Sequence, residues 1–511
     1  MINLYKITNK KVSNTLFIPV LNGGLNSLKS LESNLGVRFL FELKNSQFKA
    51  DFMEKASFQV LAEKKTININ FIGLGEAKKL DEERVFKAFS SITYSQIKSK
   101  KRTKDLSIIF PITIDKKLIN LAIQGLYNGF YSFDKYKTKK DNFSLLKVGI
   151  DIDSITSGQF STIVKEAQNI FSGVNLTREL INEPPQSLTP VALANQAKAI
   201  AKSKNIVCKI YGKKDILKKK MLGVWDVGKG SVNEPRFIHL TYKSSVSKKK
   251  SKKIALIGKG VTYDTGGLSL KPADYMLTMK MDMGGAGCVL GVFKALQSLQ
   301  PKNVEVHGLI PAVENMPGPN AYKPDDVVRG LSGKTIEVIN TDAEGRVVLS
   351  DAIEYANKLK VDEMVDLATL TGACMVALGN YTAGLFSNNI TLKDKLLKAS
   401  LMSGEKMWQL PLDEELRSSI DSQVADVKNS ASAIVQWFFV GGVLGLVLIV
   451  LREIVLYAAA IKLAQKEYGL VFIVSALVVV MGQQLSYGSW MNPSYLILAA
   501  AIIAFNARHK Y

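Results

Sequence analysis

Short apolar runs alternate with amphipathic stretches through the first 155 residues of the chain. Residues 15–20, 66–72 and 106–112 are rich in Ile, Leu, Val and Phe and predict strands. Residues 82–95 repeat apolar side chains at the spacing of a helix. This alternation is typical of an α/β domain, so we predict an N-terminal α/β domain over residues 1–155.

A helical pattern over residues 161–180 follows and stops at Pro184-Pro185, because proline cannot continue a helix. We assign residues 156–189 to a linker helix. A second α/β alternation then predicts another domain over residues 190–431, with a mixed sheet flanked by helices. Its predicted helices are 191–202, 286–299 and 347–359, and its predicted strands are 206–211, 254–258, 304–311 and 364–369.

Beyond residue 431 the pattern changes to long apolar runs. Residues 434–451 carry no charged side chain, and neither do residues 468–507. The first run is long enough to span a membrane, and residues 470–481 and 495–505 predict a hairpin of spans. Buried core helices are the alternative. We interpret residues 432–511 as an apolar, helical, transmembrane-like tail.

Composition adds a strongly basic balance to this picture. The chain has 67 Lys and Arg against 45 Asp and Glu, a formal charge of +22. Lysine-rich runs at residues 98–104 and 248–253 resemble the basic patches of proteins that bind nucleic acid or another anionic surface. Solvated turns are the simpler interpretation, since no aromatic residues interleave the basic ones. Nucleic acid is therefore not expected as a partner.

Cysteine and histidine usage excludes several site classes. The three cysteines, Cys208, Cys288 and Cys374, are far apart, so neither a disulfide framework nor a thiolate zinc site is predicted, and we expect reduced, buried side chains. No two of the three histidines lie four residues apart, which excludes a His-Glu-x-x-His zinc site. Metal chemistry would have to use carboxylates and lysine.

Carboxylates and lysines do collect beside glycines and predicted strand ends. Residues 334–339 alternate like a strand, whose far end would deliver Asp342 and Glu344 on one side. Candidate ligands repeatedly follow strands, where α/β sheets place their active sites. Four acids and two lysines are enough for a two-metal hydrolytic site. The six candidates are Lys259, Asp264, Lys271, Asp282, Asp342 and Glu344.

The chemistry suggests a division of roles. Asp264 and Glu344 are suited to bridge two metal ions, and Asp282 and Asp342 are suited to act as terminal ligands of one ion each. One lysine beside dications would lose its proton and ligate, and the other would stay charged and stabilise negative charge. Taken singly, such an Asp is as well explained by a helix cap, and Lys259 by a surface turn.

Several segments resemble the leucyl (cytosol) aminopeptidase family of dinuclear metallopeptidases. The resemblance is carried by NTDAEGR at residues 340–346, GKGVTYDTGG at 258–267, RELINEP at 178–184 and GVWDVGKGS at 223–231. It covers residues 170–430 well and residues 1–155 loosely. It implies that residues 190–431 form a metallopeptidase catalytic domain, and that the chain removes N-terminal residues, often leucine, from peptides.

The resemblance also implies individual roles. Asp264 and Glu344 would bridge two divalent ions, manganese or zinc, with Lys259 and Asp282 completing one metal and Asp342 the other. The remaining implied roles are a scissile-carbonyl contact for Lys271, a bicarbonate-like anion site for Arg346, and substrate binding by Thr369 and Leu370. A homo-hexamer and a cytoplasmic location are implied as well.

The family pattern is expected to stop after residues 422–430, leaving the catalytic domain incomplete at its C-terminal end. The tail is interpreted as foreign, from a gene fusion, a rearrangement or a sequence join near Ala431. If genuine, it would make the protein membrane-associated. Loss of the last strand and helices would expose apolar sheet surface. Two other functions stay open at this point: a DNA-binding protein, or a membrane-anchored assembly subunit, without effective peptidase activity.

Overall fold

A computed structural model describes residues 2–8, 12–62, 65–99, 102–111, 115–139, 146–244, 251–412 and 414–429. The predicted apolar tail over residues 432–511 lies outside these residues. The described chain divides into two compact units. One comprises Gly372–Asn380 and Leu410–Asp421, and the other comprises the remaining described residues, including both large sheets.

Strands and helices alternate along most of the described chain. The strands are β1 (Ile2–Lys6), β2 (Thr15–Leu21), β3 (Lys55–Ala62), β4 (Lys65–Gly75), β5 (Asp105–Ile109), β6 (Leu146–Asp151), β7 (Ile206–Tyr211), β8 (Arg236–Lys243), β9 (Lys252–Gly258), β10 (Gly260–Asp264), β11 (Val304–Asn315), β12 (Val327–Arg329), β13 (Thr335–Glu337), β14 (Glu363–Leu367), β15 (Ala383–Leu385), β16 (Met407–Gln409) and β17 (Val427–Lys428). The helices are α1 (Leu28–Leu35), α2 (Leu40–Asn45), α3 (Glu82–Lys98), α4 (Lys116–Gly129), α5 (Ser157–Asn182), α6 (Pro190–Ile200), α7 (Lys213–Lys218), α8 (Leu222–Gly228), α9 (Ala273–Met276), α10 (Gly284–Leu299), α11 (Glu344–Lys358), α12 (Ala373–Leu378) and α13 (Ile390–Ser403).

The first sheet has the strand order β1-β6-β5-β2-β4-β3. All neighbouring pairs are parallel except β3 and β4. One face packs against α3, α4 and the first half of α5, with Phe89, Leu126 and Phe160 in that core. The other face packs against α1 and α2. Strand β2 is a nearly continuous apolar run, buried over residues 16–20, because both faces of the sheet are covered.

The second sheet has the order β14-β9-β11-β8-β7, with β10 also paired to β11. Strands β14, β9, β10 and β11 run parallel, while β8 and β7 pair in antiparallel fashion. Helices α6 and α10 cover one face and α8 and α11 the other. The prediction of α/β architecture with a mixed sheet flanked by helices is confirmed.

Helix α5 connects the two sheets and belongs to both cores. Phe160 and Phe171 pack in the first core, and Leu180 packs in the second. A Cβ atom placed on Gly173 would lie 2.2 Å from the carbonyl oxygen of Gly291 in α10, so the two backbones approach closely. A capping box at Thr156 begins the helix, which is longer at both ends than predicted.

Element boundaries show where sequence patterns were reliable. Strand β7 coincides with the prediction, and α10 begins two residues early, at Gly284. The predicted strand over residues 334–339 is wrong in length, because β13 holds only Thr335–Glu337, in a separate three-stranded sheet with β12 and β17. The three cysteines are free and only partly buried, whereas reduced, buried side chains were expected.

Loss of the last strand and helices was expected to expose apolar sheet surface, and β14 lies at the edge of the second sheet. Among the described residues, β14 pairs with β9 alone. Its apolar side chains, including Met364 and Val365, are half-buried.

No helix in the described part of the chain is both long and apolar enough to cross a membrane.

Helix α11 is fixed from its middle by a buried carboxylate. Asp351 is fully buried and accepts hydrogen bonds from the backbone N–H groups of Val224 (3.0 Å) and Leu331 (2.7 Å), one on each oxygen. Burial raises the pKa of Asp351 to about 6, and those N–H donors oppose the rise. Near pH 7.5 the ionised group therefore accepts both bonds.

We expect Asp351→Asn to destabilise the protein by about 2 kcal/mol, because its amide offers one acceptor oxygen to two buried donors. Denaturant unfolding at pH 7.5 measures the loss. Asp394→Asn, at an exposed carboxylate, is the control and should change little. Equal stability of the Asp351 variant and the wild type would contradict this account of the helix anchor.

The fold also brings two histidines together although none are close in sequence. His239 Nε2 lies 3.0 Å from His307 Nδ1 across β8 and β11, and His307 Nε2 lies 3.1 Å from Glu305. Burial, then His307 and Lys209, lower the pKa of His239 to about 4. Burial also lowers the pKa of His307, with Glu305 opposing and Lys253 and Lys243 adding to the shift.

A lowered histidine pKa makes the folded state bind fewer protons than the unfolded state below about pH 6.5. Stability contributed by the neutral pair is therefore complete above that pH and is lost as pH falls toward 4. We expect the melting temperature to drop more between pH 7 and pH 5.5 in wild type than in His239→Gln. Parallel pH profiles of the two proteins would refute the prediction.

Candidate functional site

The carboxyl ends of the parallel strands in the second sheet carry three of the nine candidate residues. Lys259 directly follows β9, Asp264 is the last residue of β10, and Thr369 lies two residues beyond β14. Because β9, β10, β11 and β14 are parallel, these positions lie along one edge of the sheet. The expectation that ligand candidates lie at strand ends is confirmed for Lys259 and Asp264, and the substrate-binding candidate Thr369 lies at the same edge.

The other acids come from tight turns that open helices. Asp282 lies in the 3-10 turn Met279–Met283 before α10. Asp342 lies in the turn Thr341–Ala343, and Glu344 is the first residue of α11. The two do not alternate along a strand as predicted, since β13 ends at Glu337. The turn and the helix start, instead of strand alternation, orient both carboxylates.

Lys259 is the centre of one half of the site. Its ammonium group contacts Asp282 Oδ1 at 2.8 Å, Glu344 Oε1 at 2.8 Å and the carbonyl oxygen of Thr369 at 2.9 Å. Only 2% of Lys259 is exposed, so the alternative of a surface turn lysine is wrong. Burial alone would lower the pKa of Lys259, but Glu344 and Asp282 raise it.

Lys271 joins the other two acids. Its Nζ lies 2.9 Å from Asp264 Oδ2 and 2.5 Å from Asp342 Oδ1. Burial opposes the charge of Lys271, and the two carboxylates outweigh it and raise the pKa. Asp264 Oδ1 in turn accepts from the Gly266 N–H at 2.9 Å and from Asn315 Nδ2 at 2.8 Å.

Four acids in one buried site are electrostatically costly. Burial raises the pKa of Glu344, and Asp264 and Asp282 raise it further, against the lowering effect of Lys259. Burial likewise raises the pKa values of Asp282 and Asp342. Two lysines do not neutralise four carboxylates, so the site is short of positive charge.

The geometry fits divalent cations. Asp264, Asp342 and Glu344 each offer a carboxylate oxygen, and these oxygens lie within 4.8 Å of one another. Asp282 Oδ2 and Glu344 Oε2 are buried and have no hydrogen-bond partner. Buried carboxylate oxygens are normally paired or bound to metal, and hard oxygen ligands suit manganese, magnesium or zinc.

Glycines allow the loops to approach. Gly266 and Gly267 have φ values of +86° and +65°, in the left-handed region that other residues avoid. A Cβ on Gly285 would lie 1.9 Å from the Leu367 carbonyl oxygen. A Cβ on the neighbouring Gly284, in contrast, would meet nothing nearer than 3.6 Å.

Arg346 and Leu370 flank the carboxylates. Arg346 is half-buried on α11, two residues beyond Glu344. Burial lowers its pKa, and Glu344 opposes that shift. Leu370 is 42% exposed beside Gly345, where an added Cβ would meet its Cδ2 at 2.9 Å. Both candidates therefore adjoin the site, and their roles remain predictions.

Sequence reasoning missed the residues that support these ligands. Asn315, at the end of β11, donates to Asp264 and to the Thr341 carbonyl oxygen at 3.0 Å. Tyr322 donates to the same carbonyl at 2.8 Å. The predicted strand ended at residue 311, so it did not reach Asn315 at the end of β11, and nothing in the sequence marked Tyr322.

Asn429 is a third missed residue, and it is 1% exposed. Its side chain accepts from the N–H groups of Ile339 (3.0 Å) and Asn340 (3.3 Å) and donates to the Asn340 carbonyl oxygen (2.7 Å). The Asn340 side chain then accepts from the Asp342 N–H at 2.8 Å. The segment after β17 therefore fixes the turn that carries Asp342.

Two family models match the chain. The cytosol aminopeptidase family catalytic domain matches residues 175–444, and the N-terminal domain of the same family matches residues 26–140. The catalytic-domain match continues past Ala431 into the first part of the apolar tail. Residues 445–511 lie outside both matches.

Individual relatives agree with these matches. A probable cytosol aminopeptidase of Aquifex aeolicus is 45% identical over 369 residues, covering 71% of this chain and 72% of the relative. One from a Sulfurihydrogenibium species is 38% identical over 82% of this chain and 81% of the relative. One from Prochlorococcus marinus strain AS9601 is 40% identical over 76% and 79%.

Replacing Asn429 with alanine tests whether it supports the turn. We expect Asn429→Ala to lower the free energy of unfolding by about 2 kcal/mol and to weaken divalent-metal binding, because buried groups at Ile339 and Asn340 lose partners. Denaturant unfolding and metal titration measure the two effects. Asn357→Ala, at an exposed position on α11, is the control. Unchanged metal affinity in Asn429→Ala would contradict the proposed support.

Proposed function

The chain belongs to the cytosol aminopeptidase family, and from that premise we propose that it removes N-terminal residues, preferentially leucine, from peptides by two-metal water activation. Family membership identifies it as a metal-dependent peptidase hydrolase. The observation that carries the finer proposal is the convergence of four acids and two lysines from separate loops on one buried site. Unpartnered carboxylate oxygens within it support metal binding.

The proposed ligands follow the arrangement of side chains. Asp264 and Glu344 would bridge two ions, since Asp264 contacts Lys271 and Glu344 contacts Lys259, while a carboxylate oxygen of one lies within 4.8 Å of a carboxylate oxygen of the other. Lys259 and Asp282, which are in contact, would complete the ligand set of one ion, and Asp342 would complete that of the other. Lys259 would have to exchange its present carboxylate partners for a metal and lose a proton, which nearby dications favour.

Two divalent ions, when bound, supply an activated water and polarise the scissile carbonyl. Lys271 would then be released from Asp264 and Asp342 to donate to the oxygen that becomes negative. Arg346 would hold a bicarbonate-like anion that takes the proton from water. Leu370 would contact the substrate, and Thr369 would do so while also holding Asp282.

Manganese and zinc are both proposed as native metals, because the site combines carboxylates with one amine. The partners proposed are peptides, bound through a free N-terminal amine. A homo-hexameric assembly and a cytoplasmic location belong to the same proposal, in keeping with relatives named cytosol aminopeptidases.

Removing a bridging carboxylate is the direct test of the metal pair. We expect Asp264→Ala and Glu344→Ala each to abolish release of p-nitroaniline from leucine p-nitroanilide in manganese or zinc, because neither ion keeps its full ligand set. Glu354→Gln, on the outer part of α11, is a matched control and should retain activity. Turnover near the wild-type rate in either alanine variant would contradict the two-metal assignment.

A DNA-binding protein without effective peptidase activity is the rival from another class. The same assay separates the two, because wild-type protein that shows no turnover with either metal, yet binds DNA in a salt-sensitive manner, would support the rival. A membrane-anchored assembly role is tested by fractionation, since protein found wholly in the soluble fraction would exclude it.

A further inference from the structure

A lysine beside the candidate ligand Asp282 contacts the end of the connecting helix. Lys280 Nζ donates to the carbonyl oxygen of Asn182 at 2.6 Å. Asn182 is the last residue of α5, where helix carbonyls have no intrahelical donor and carry the negative end of the helix dipole. A lysine ammonium group is well suited to that position.

The turn Met279–Met283 is held from its other side by Thr369, in the segment that follows β14. Thr369 Oγ1 donates to Asp282 Oδ1 at 2.7 Å and lies 3.1 Å from the Asp282 carbonyl oxygen. Just before the turn, Thr278 has a φ of +72°, an unfavourable conformation for a threonine. Contacts on both sides are therefore needed to keep this short segment in place.

The helix end that Lys280 contacts is itself well fixed. The Asn182 side chain donates to Tyr131 OH at 3.1 Å, and Arg178 lies over the Tyr131 ring, 5.3 Å from its centroid. Arg178 also donates to the Asn128 carbonyl oxygen at 3.2 Å. Lys280 thus attaches the Asp282 turn to a rigid point that is shared with the first sheet's helices.

We propose that Lys280 is a positioning residue, which holds the Met279–Met283 turn against the end of α5 so that Asp282 is aimed at the metal site. This inference rests on the proposed metallopeptidase function. Lys280 acts through the backbone of the turn and does not itself ligate. Outer contacts of this kind orient ligands, and their loss typically costs about tenfold to a hundredfold in metal affinity.

The test compares full-length Lys280→Met, which keeps the apolar stem but loses the donor, with Lys280→Arg, which keeps a cationic donor. We expect Lys280→Met to bind manganese about tenfold more weakly by calorimetric titration without peptide. Its kcat should fall more than its KM rises, because the ligand geometry is disturbed and substrate contacts are not. Lys280→Arg should recover most of the affinity.

The matched control is Lys294→Met. Lys294 lies in the body of α10 and donates to Gln297, so this variant should bind metal like wild type. Melting temperatures without metal should agree within about 2 °C across all variants. Wild-type affinity in Lys280→Met, equal losses in Met and Arg variants, or a metal-free melting point lowered by more than about 5 °C would overturn the proposal.

The titration separates this inference from the proposed function. If wild type binds manganese but hydrolyses no peptide, the aminopeptidase proposal fails while the affinities still decide the role of Lys280. If wild type binds no divalent metal, both proposals are overturned.

Discussion

The crowding of four carboxylates in one small site, three of them buried and Asp342 half-buried, is the constraint on which the rest of this structure depends. Asp264, Asp282 and Glu344 are each no more than 5% exposed, so water cannot screen their mutual repulsion. Lys259 and Lys271 offset part of that charge by pairing with two acids each. The two buried oxygens without hydrogen-bond partners indicate that further positive charge belongs at the site.

Such a site requires rigid supports, because charged groups that repel each other separate unless the backbone holds them. The supports come from several directions. Parallel strands deliver Lys259 and Asp264, and helix α11, anchored through Asp351, delivers Glu344. Asn429 holds the turn before α11, and Thr369 holds Asp282. The same residue that was predicted to bind substrate thus also fixes a ligand.

Helix α5 explains how the N-terminal sheet can influence this chemistry. Its first half is part of one hydrophobic core and its last turn part of the other. The carbonyl oxygen of Asn182, the last residue of α5, accepts a hydrogen bond from Lys280, which is two residues from Asp282. A change in the packing of Tyr131 or Arg178 would therefore reach the Asp282 turn through a short series of direct contacts.

The sequence by itself determined the class of fold, the family and the ligand candidates. Periodicity located β7 and α10 almost to the residue, because period 2 and period 3.6 are local properties. It failed at residues 334–339, where the strand has only three residues, and a turn and a helix start, instead of that strand, orient Asp342 and Glu344. Only the tertiary structure paired His239 with His307, and placed Asn315, Asn429 and Lys280 behind the ligands. Those contacts join residues that are 51 to 98 positions apart, and no local pattern encodes them.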